Sequence, residues 1–233
     1  MDNFAGKIIS FYKEIDFSGK LPEGISIMNP FRNSQQTMET VSLFYSKYYS
    51  DNRKRHLILG INPGRFGAGT TGIPFTDTIR LEQKCGIALP GIKTHETSSV
   101  FIYEMIDYYG GPEKFYGDFY ISSVSPLGFT AAGKGKGNVN YNYYDSKELI
   151  AAIIDFILAS LNKQLEFGIC RDTCFCLGTG KNFKFIIELN SMYHFFEKIE
   201  PLEHPRYIMQ YRLKKKDFYI RYYTDKLISV NRI

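Results

Sequence analysis

Apolar residues recur along this chain with two periods, and the alternation between them predicts its architecture. Phe4, Ile8, Phe11, Tyr12 and Ile15 fall at helical spacing, and Met38, Val41, Tyr45 and Tyr48 share a face after a loop through Pro30. His56-Leu57-Ile58-Leu59-Gly60-Ile61 is a continuous apolar run, preceded by a basic stretch and followed by Asn62-Pro63-Gly64, and reads as a strand buried on both faces. Asp118 to Val124 is a second strand, aromatic and β-branched, ending at Ser125-Pro126; Thr173 to Gly178 and Lys198 to Leu202 are a third and a fourth. A long Gly/Thr/Pro-rich loop runs from Gly64 to Pro74, and a helix through Val100, Tyr103, Ile106 and Asp107 is terminated by Gly110-Gly111-Pro112. Asp145 with Glu148 resembles a capping box opening a helix that buries Leu149, Ile153, Phe156 and Ile157 and ends near Leu161; a further helix carries Phe183, Ile186 and Ile187.

Strands alternating with helices imply βαβ units with right-handed crossovers. The expected fold is therefore α/β: a single domain over residues 1–233 with a short central, mainly parallel four-stranded sheet and helices on both faces. In such a sheet ligands bind beyond the carboxyl ends of the strands. The candidate chemistry accordingly lies at Asn62-Pro63-Gly64, Ser123-Val124-Ser125-Pro126, Gly178-Thr179-Gly180 and Glu203-His204-Pro205.

Composition narrows the class of protein. With 44% hydrophobic and 16% aromatic residues in 233, the chain can bury a sizeable core. No apolar run approaches the roughly 20 residues that cross a bilayer, and the N-terminus lacks a signal-peptide pattern, so a cytoplasmic protein with no membrane partner is expected. Cys170, Cys174 and Cys176 cluster without a recognised zinc spacing and two of them lie in an apolar strand, which points to reduced core residues and to no metal or other cofactor. A net charge of +5 favours a polyanionic partner. Lys134 and Lys136 in a glycine-rich loop, and Arg206, Arg212 and Lys214 to Lys216 after a His-Pro, are candidates to meet it; the lysine run, interleaved with Tyr211, Phe218 and Tyr222, also reads as the solvated face of a packed C-terminal helix.

Gly60-Ile61-Asn62-Pro63-Gly64-Arg65-Phe66-Gly67 with Thr71-Gly72-Ile73-Pro74-Phe75 resembles the first motif of the single-strand-selective monofunctional uracil-DNA glycosylases, G-M-N-P-G-P-F-G followed by T-G-V-P-F. The likeness continues at Ser125-Pro126-Leu127, where that family has Cys-Pro-Leu, and at His204-Pro205, where it has H-P-S-P-R-N; it spans about residues 56–212. The resemblance implies that Asn62 positions an attacking water with help from the backbone of Ile61 and Gly64, that Phe75 stacks on a flipped base, and that His204 hydrogen-bonds the departing base. It implies a protein that works on DNA, with Arg206 or Tyr207 as the wedge, and no metal; a monomer is the default expectation. The chemistry is coherent: the base leaves as an anion and the sugar becomes oxocarbenium-like, so fixed dipoles lower the barrier and an asparagine can stand where a carboxylate base would. One departure bears on selectivity. Ser123 stands where the family places an asparagine that reads the uracil edge, and it cannot present an amide's paired donor and acceptor; a divergent branch of the family carries serine there, and this chain is similar to it. Removal of uracil and of 5-substituted uracils such as 5-hydroxymethyluracil is expected. The sequence leaves open a preference shifted to xanthine or hypoxanthine, and a catalytically inactive nucleic-acid-binding module on the same fold. A serine hydrolase would need a G-x-S-x-G elbow, which is absent. No lysine is expected where it could form a Schiff base.

Overall fold

The computed structural model describes residues 3–133, 135 and 137–230; Lys134 and Lys136 lie outside the described residues. Seven strands are formed among those described: β1 (Ile25–Met28), β2 (Arg55–Gly60), β3 (Phe119–Ser123), β4 (Gly128–Ala132), β5 (Asn138–Tyr141), β6 (Ile169–Leu177) and β7 (Lys198–Leu202). The four expected from the apolar runs, β2, β3, β6 and β7, make one sheet in the order β3-β2-β6-β7 with every pairing parallel. β2 is central and buried along its whole length, as its unbroken apolar run requires.

A second sheet, β1-β4-β5, is antiparallel and was not among the expected elements. Its strands are four or five residues long, and β5, Asn-Val-Asn-Tyr, is exposed over most of its length. Segments so short and weakly patterned are specified by their partners rather than by their own sequence. The glycine-rich stretch expected to be an open loop is thus partly β5, and Gly133 donates its N–H to Gly137 O at 3.0 Å to close the hairpin.

Two helix boundaries also differ from expectation. The long helix is Lys147–Leu165, capped by Ser146, whose hydroxyl accepts from Leu149 N at 3.0 Å. Asp145 instead closes the preceding turn by accepting from Asn142 N at 2.9 Å. The helix continues past Leu161 because Gln164 turns inward and is buried. At the C-terminus, Leu213–Lys215 forms a 3₁₀ turn and the helix proper is Lys216–Ser229, burying Ile220, Tyr223, Thr224 and Leu227 while Phe218 stays exposed.

The core is aromatic and is organised around a charge. Arg55, the first residue of β2, is fully buried. Its guanidinium donates to Tyr116 O at 2.8 Å, Arg53 O at 2.9 Å and Tyr48 O at 3.3 Å, pairs with Asp51 at 2.8 Å, and lies 4.7 Å from the Phe4 ring centre and 4.8 Å from that of Tyr49. One planar cation thereby ties the N-terminal helix Phe4–Glu14, the helix Gln35–Tyr48, β2 and the helix Pro112–Asp118 together. Such a group is stable inside only when its donors are used. For Asp51, burial raises the carboxyl pKa, but the hydrogen bonds from Arg55 and Arg53 outweigh it and hold the group well below the usual carboxylate range. Arg55→Met, which keeps the volume but strands three carbonyls, is expected to lower unfolding free energy by about 3 kcal/mol. Urea denaturation of the two proteins measures the difference.

Candidate active site

Because the four strands of the main sheet are parallel, their carboxyl ends share one edge, and a cleft of about 580 Å³ opens there. Ile61 and Asn62 enter it from β2, Ser123 from β3, Gly178 to Gly180 from β6, and Glu203 and His204 from β7. The exits are stitched to one another by backbone bonds: Val124 N to Gly60 O at 3.0 Å, Ser125 N to Ile61 O at 3.2 Å and Gly178 N to Leu202 O at 2.7 Å.

Asn62 is held by the chain that follows β5. Its Oδ1 accepts from Tyr143 N at 3.0 Å and its Nδ2 donates to Tyr141 O at 3.2 Å and to Pro63 O at 3.4 Å, so the amide has one orientation and one acceptor lone pair left over. The clamp is itself anchored. The buried Tyr143 hydroxyl donates to Asn182 Oδ1 at 2.7 Å, and Asn182 Nδ2 donates to Leu177 O at 3.1 Å, fastening the segment to the end of β6.

Phe75 lies across the cleft with its ring centre 5.8 Å from that of His204 and the planes at 50°. Its backbone takes φ 53, a left-handed conformation that a phenylalanine adopts only under constraint. The ring rests on Gly60: a Cβ there would come within 2.7 Å of Cε2 and 2.9 Å of Cζ. The glycine that ends β2 is what lets the ring lie down.

His204 caps the helix Pro205–Tyr211, and its Nδ1 accepts from Arg206 N at 3.1 Å. That bond assigns the proton to Nε2, the nitrogen free to donate. Desolvation, with the Arg206 guanidinium adding to it, pushes the imidazole down to about 4, so the ring is neutral at physiological pH.

Family membership rests on a direct match. The model of the Uracil DNA glycosylase superfamily matches residues 46–227. The chain belongs to that superfamily. It is a glycosylase of the DNA-acting kind, and no curated protein matches it. Among solved structures, the crystal structure of wild-type Pedobacter heparinus SMUG2 is 55% identical, covers 100% of both chains and has a TM-score of 0.97.

The glycosylase cleft gathers Ile61, Asn62, Gly64, Phe75, Ser123, Arg206 and Tyr207, all seven of them named from sequence, together with His204. Ser123 is buried in the cleft wall. Arg206 is exposed, whereas Tyr207 is half-buried and pairs with Tyr211 at 5.5 Å between centres, with Arg212 at 5.4 Å from the Tyr207 ring. Sequence reasoning named Asn140 only as part of a glycine-rich loop and missed Asn142, Asn182, Ser98 and Glu96. Asn140 and Asn142 arrive on the unexpected second sheet and its exit, and Asn182 looks from sequence like any polar residue of a helix. Glu96 precedes the helix Thr97–Tyr109; one of its oxygens lies in the curve of Gly64 to Gly67, where a Cβ on Gly67 would come within 2.1 Å of Oε2. Burial, with Asp77 adding and Arg206 opposing, pushes the Glu96 carboxyl up to about 7.

Lys181 lines the glycosylase cleft, because the helix Lys181–Tyr193 begins directly at the β6 exit. Its ammonium lies 5.8 Å from the centre of the Tyr144 ring. Among the described residues, one group could ligate a metal: His56, Cys170 and Asp172. It lies at the opposite end of the sheet, where β6 bulges between its pairings with Arg55 and Leu57, and His56 Nδ1 is 3.3 Å from Thr173 O. Cys174 and Cys176 are buried in the core, as expected.

The His204 assignment has a direct test. Nitrogen NMR is expected to show the Nε2-H tautomer, neutral at about pH 7 and protonating near pH 4. Since the folded value lies below the unfolded one, this group's contribution to stability is complete above about pH 6.5 and is lost as pH falls toward 4.

Proposed function

We propose that this protein removes uracil from DNA by hydrolysing its N-glycosidic bond, without a metal and without a lyase step, leaving an abasic site. The observation that carries the reading is the meeting of a fixed amide at Asn62, an aromatic platform at Phe75 and a neutral imidazole donor at His204 in one cleft of a uracil DNA glycosylase superfamily member. Asn62 directs its remaining acceptor at a water. Phe75 stacks on the extruded pyrimidine, and His204 Nε2–H hydrogen-bonds O2 as the C1′–N1 bond breaks and the base becomes an anion. A neutral imidazole serves here because its donor is needed in place from the start.

DNA is bound from the rim. Arg206 pairs with a phosphate, and the half-buried Tyr207, backed by Tyr211, fills the space that the flipped base vacates. Lys134 and Lys136 are assigned to the same strand contacts from sequence alone. Ser123 leaves the edge of the base loosely read, so 5-substituted uracils such as 5-hydroxymethyluracil are accepted as well. A preference for xanthine or hypoxanthine is the reading that a substrate panel with Ser123→Asn would separate from this one: a gain of uracil selectivity in the variant supports the pyrimidine assignment.

In EDTA, the purified protein is expected to convert a single uracil in single- or double-stranded oligonucleotides to an alkali-labile site. Asn62→Ala is expected to slow single-turnover excision by about 100-fold or more with little loss of DNA binding. Borohydride is expected to trap no protein–DNA adduct; a trapped adduct that disappears in Lys181→Ala would replace hydrolysis with lyase chemistry. Binding without excision of uracil, hypoxanthine or xanthine would make the protein a binding module.

A further inference from the structure

The hydrolysis proposed above leaves a proton without a destination. As water adds to C1′, one of its protons must go to a base, and an amide such as Asn62 can hold the water without accepting that proton. His204 is equally unable, since Nδ1 is engaged by Arg206 N–H and Nε2 already carries the hydrogen offered to the leaving base. Among the described residues lining the cleft, the carboxyls are Glu96 and Glu203. Glu203 accepts from the Thr179 hydroxyl at 3.2 Å. Glu96 is different: Oε2 is out of reach of solvent and accepts no hydrogen bond from any described residue.

The surroundings of Glu96 hold its side chain in that place. Its backbone N–H donates to the buried Asp77 Oδ2 at 2.7 Å, and although it sits at the N-cap of the helix Thr97–Tyr109, its side chain does not cap that helix. It turns toward the Asn62-containing loop, where Gly67 and Gly64 leave room: a Cβ on Gly64 would lie 3.2 Å from Oε1 and 3.3 Å from Asn140 Nδ2. A buried carboxyl without a donor is costly in an empty site. The donors that a nucleotide in the cleft can bring are base N–H groups and water, because deoxyribose and phosphate within a strand offer none.

We propose that Glu96 is a further catalytic residue: while Oε2 stays buried against Gly67, Oε1, beside Gly64 and Asn140, takes the proton of the attacking water directly or through one intervening water. The inference rests on reading the cleft as a glycosylase site. In the step, the water oxygen bonds to C1′ and the C1′–N1 pair departs with the base, whose anion is held by His204. The water's proton passes to Glu96, and later protonation of the base from Glu96 restores the carboxylate. The charges that face Glu96 are Asp77, from the segment before the helix Thr78–Cys85, and Arg206, from the helix Pro205–Tyr211; Asp77 is itself paired with Arg80 at 2.8 Å. Their net effect with burial sets the group to titrate near neutrality, where a general base is most useful.

The test is the single-turnover rate of uracil excision from about pH 5.5 to about pH 8.5, with oligonucleotide affinity and melting temperature measured in parallel. Wild type is expected to gain rate with rising pH and to level off above an inflection near 7. Glu96→Gln is expected to be slower by about 100-fold on the plateau and to lose the inflection, with affinity and melting temperature unchanged. Glu96→Asp, which restores a carboxylate on a shorter arm, is expected to recover the inflection at a reduced plateau. A wild-type profile that is flat across this range overturns the proposal even if the glutamine variant fails to fold, as does a Glu96→Gln protein that keeps the wild-type profile. If wild type excises uracil and Asn62→Ala does not, those results sink the role of Glu96 alone; no excision by wild type sinks both readings.

Discussion

Four parallel strands have to finish at the same edge, and every functional group of this glycosylase depends on that constraint. The paired residues of β2, β3, β6 and β7 keep register through the centre of the sheet, so Ile61, Ser123, Gly178 and Glu203 leave it within reach of one another. A residue placed one position beyond a strand is therefore fixed to about the precision of the sheet, whereas a residue further along a loop is not. Asn62 is close enough to its strand to gain from this, and His204 gains from it on the other side of the cleft. Far below, Arg55 holds the opposite end of β2 to three helices, so the strand that delivers Asn62 is secured at both ends.

The site is built from polar groups whose partners are backbone atoms. Asn62 is gripped by the peptide groups of Tyr143, Tyr141 and Pro63, His204 Nδ1 by that of Arg206 and Asn182 by that of Leu177. A peptide N–H or C=O has one role, donor or acceptor, so each bond fixes the orientation of an amide or the tautomer of a ring without ambiguity. Preorganised dipoles of this kind do not need to turn when charge develops, which is the condition under which they lower a barrier most. The shifts that depress His204 and raise Glu96 have the same origin: burial disfavours the charged form of each group.

The centre of the main sheet was legible because β2, β3 and the second half of β6 are apolar runs bounded by turn formers. That is the pattern of parallel strands buried on both faces, whereas the edge strand β7 mixes polar and apolar positions. Asn62 and His204 follow β2 and β7 closely, whereas Phe75, beyond the loop after β2, was singled out only through the likeness of Thr71-Gly72-Ile73-Pro74-Phe75 to a family motif. The antiparallel sheet was not legible. Ile25–Met28 and Asn138–Tyr141 have neither the length nor the alternation to announce a strand, and their pairing joins residues about a hundred positions apart in the chain for β1 with β4. With that sheet went Asn140 and the peptide clamp on Asn62. Glu96 was hidden differently: a glutamate ahead of a helix reads as a solvated cap, and only the two glycines facing it in space show that it has turned inward.

The backbone at Phe75 has a wider consequence. A side chain bearing residue at φ 53 stores on the order of 1–2 kcal/mol of strain, which glycine would release. The same ring packs on Gly60 and against the core, and that packing offsets the strain. A change at position 75 or at Gly60 is therefore felt at the other, so the end of β2 and the wall of the cleft can vary only together.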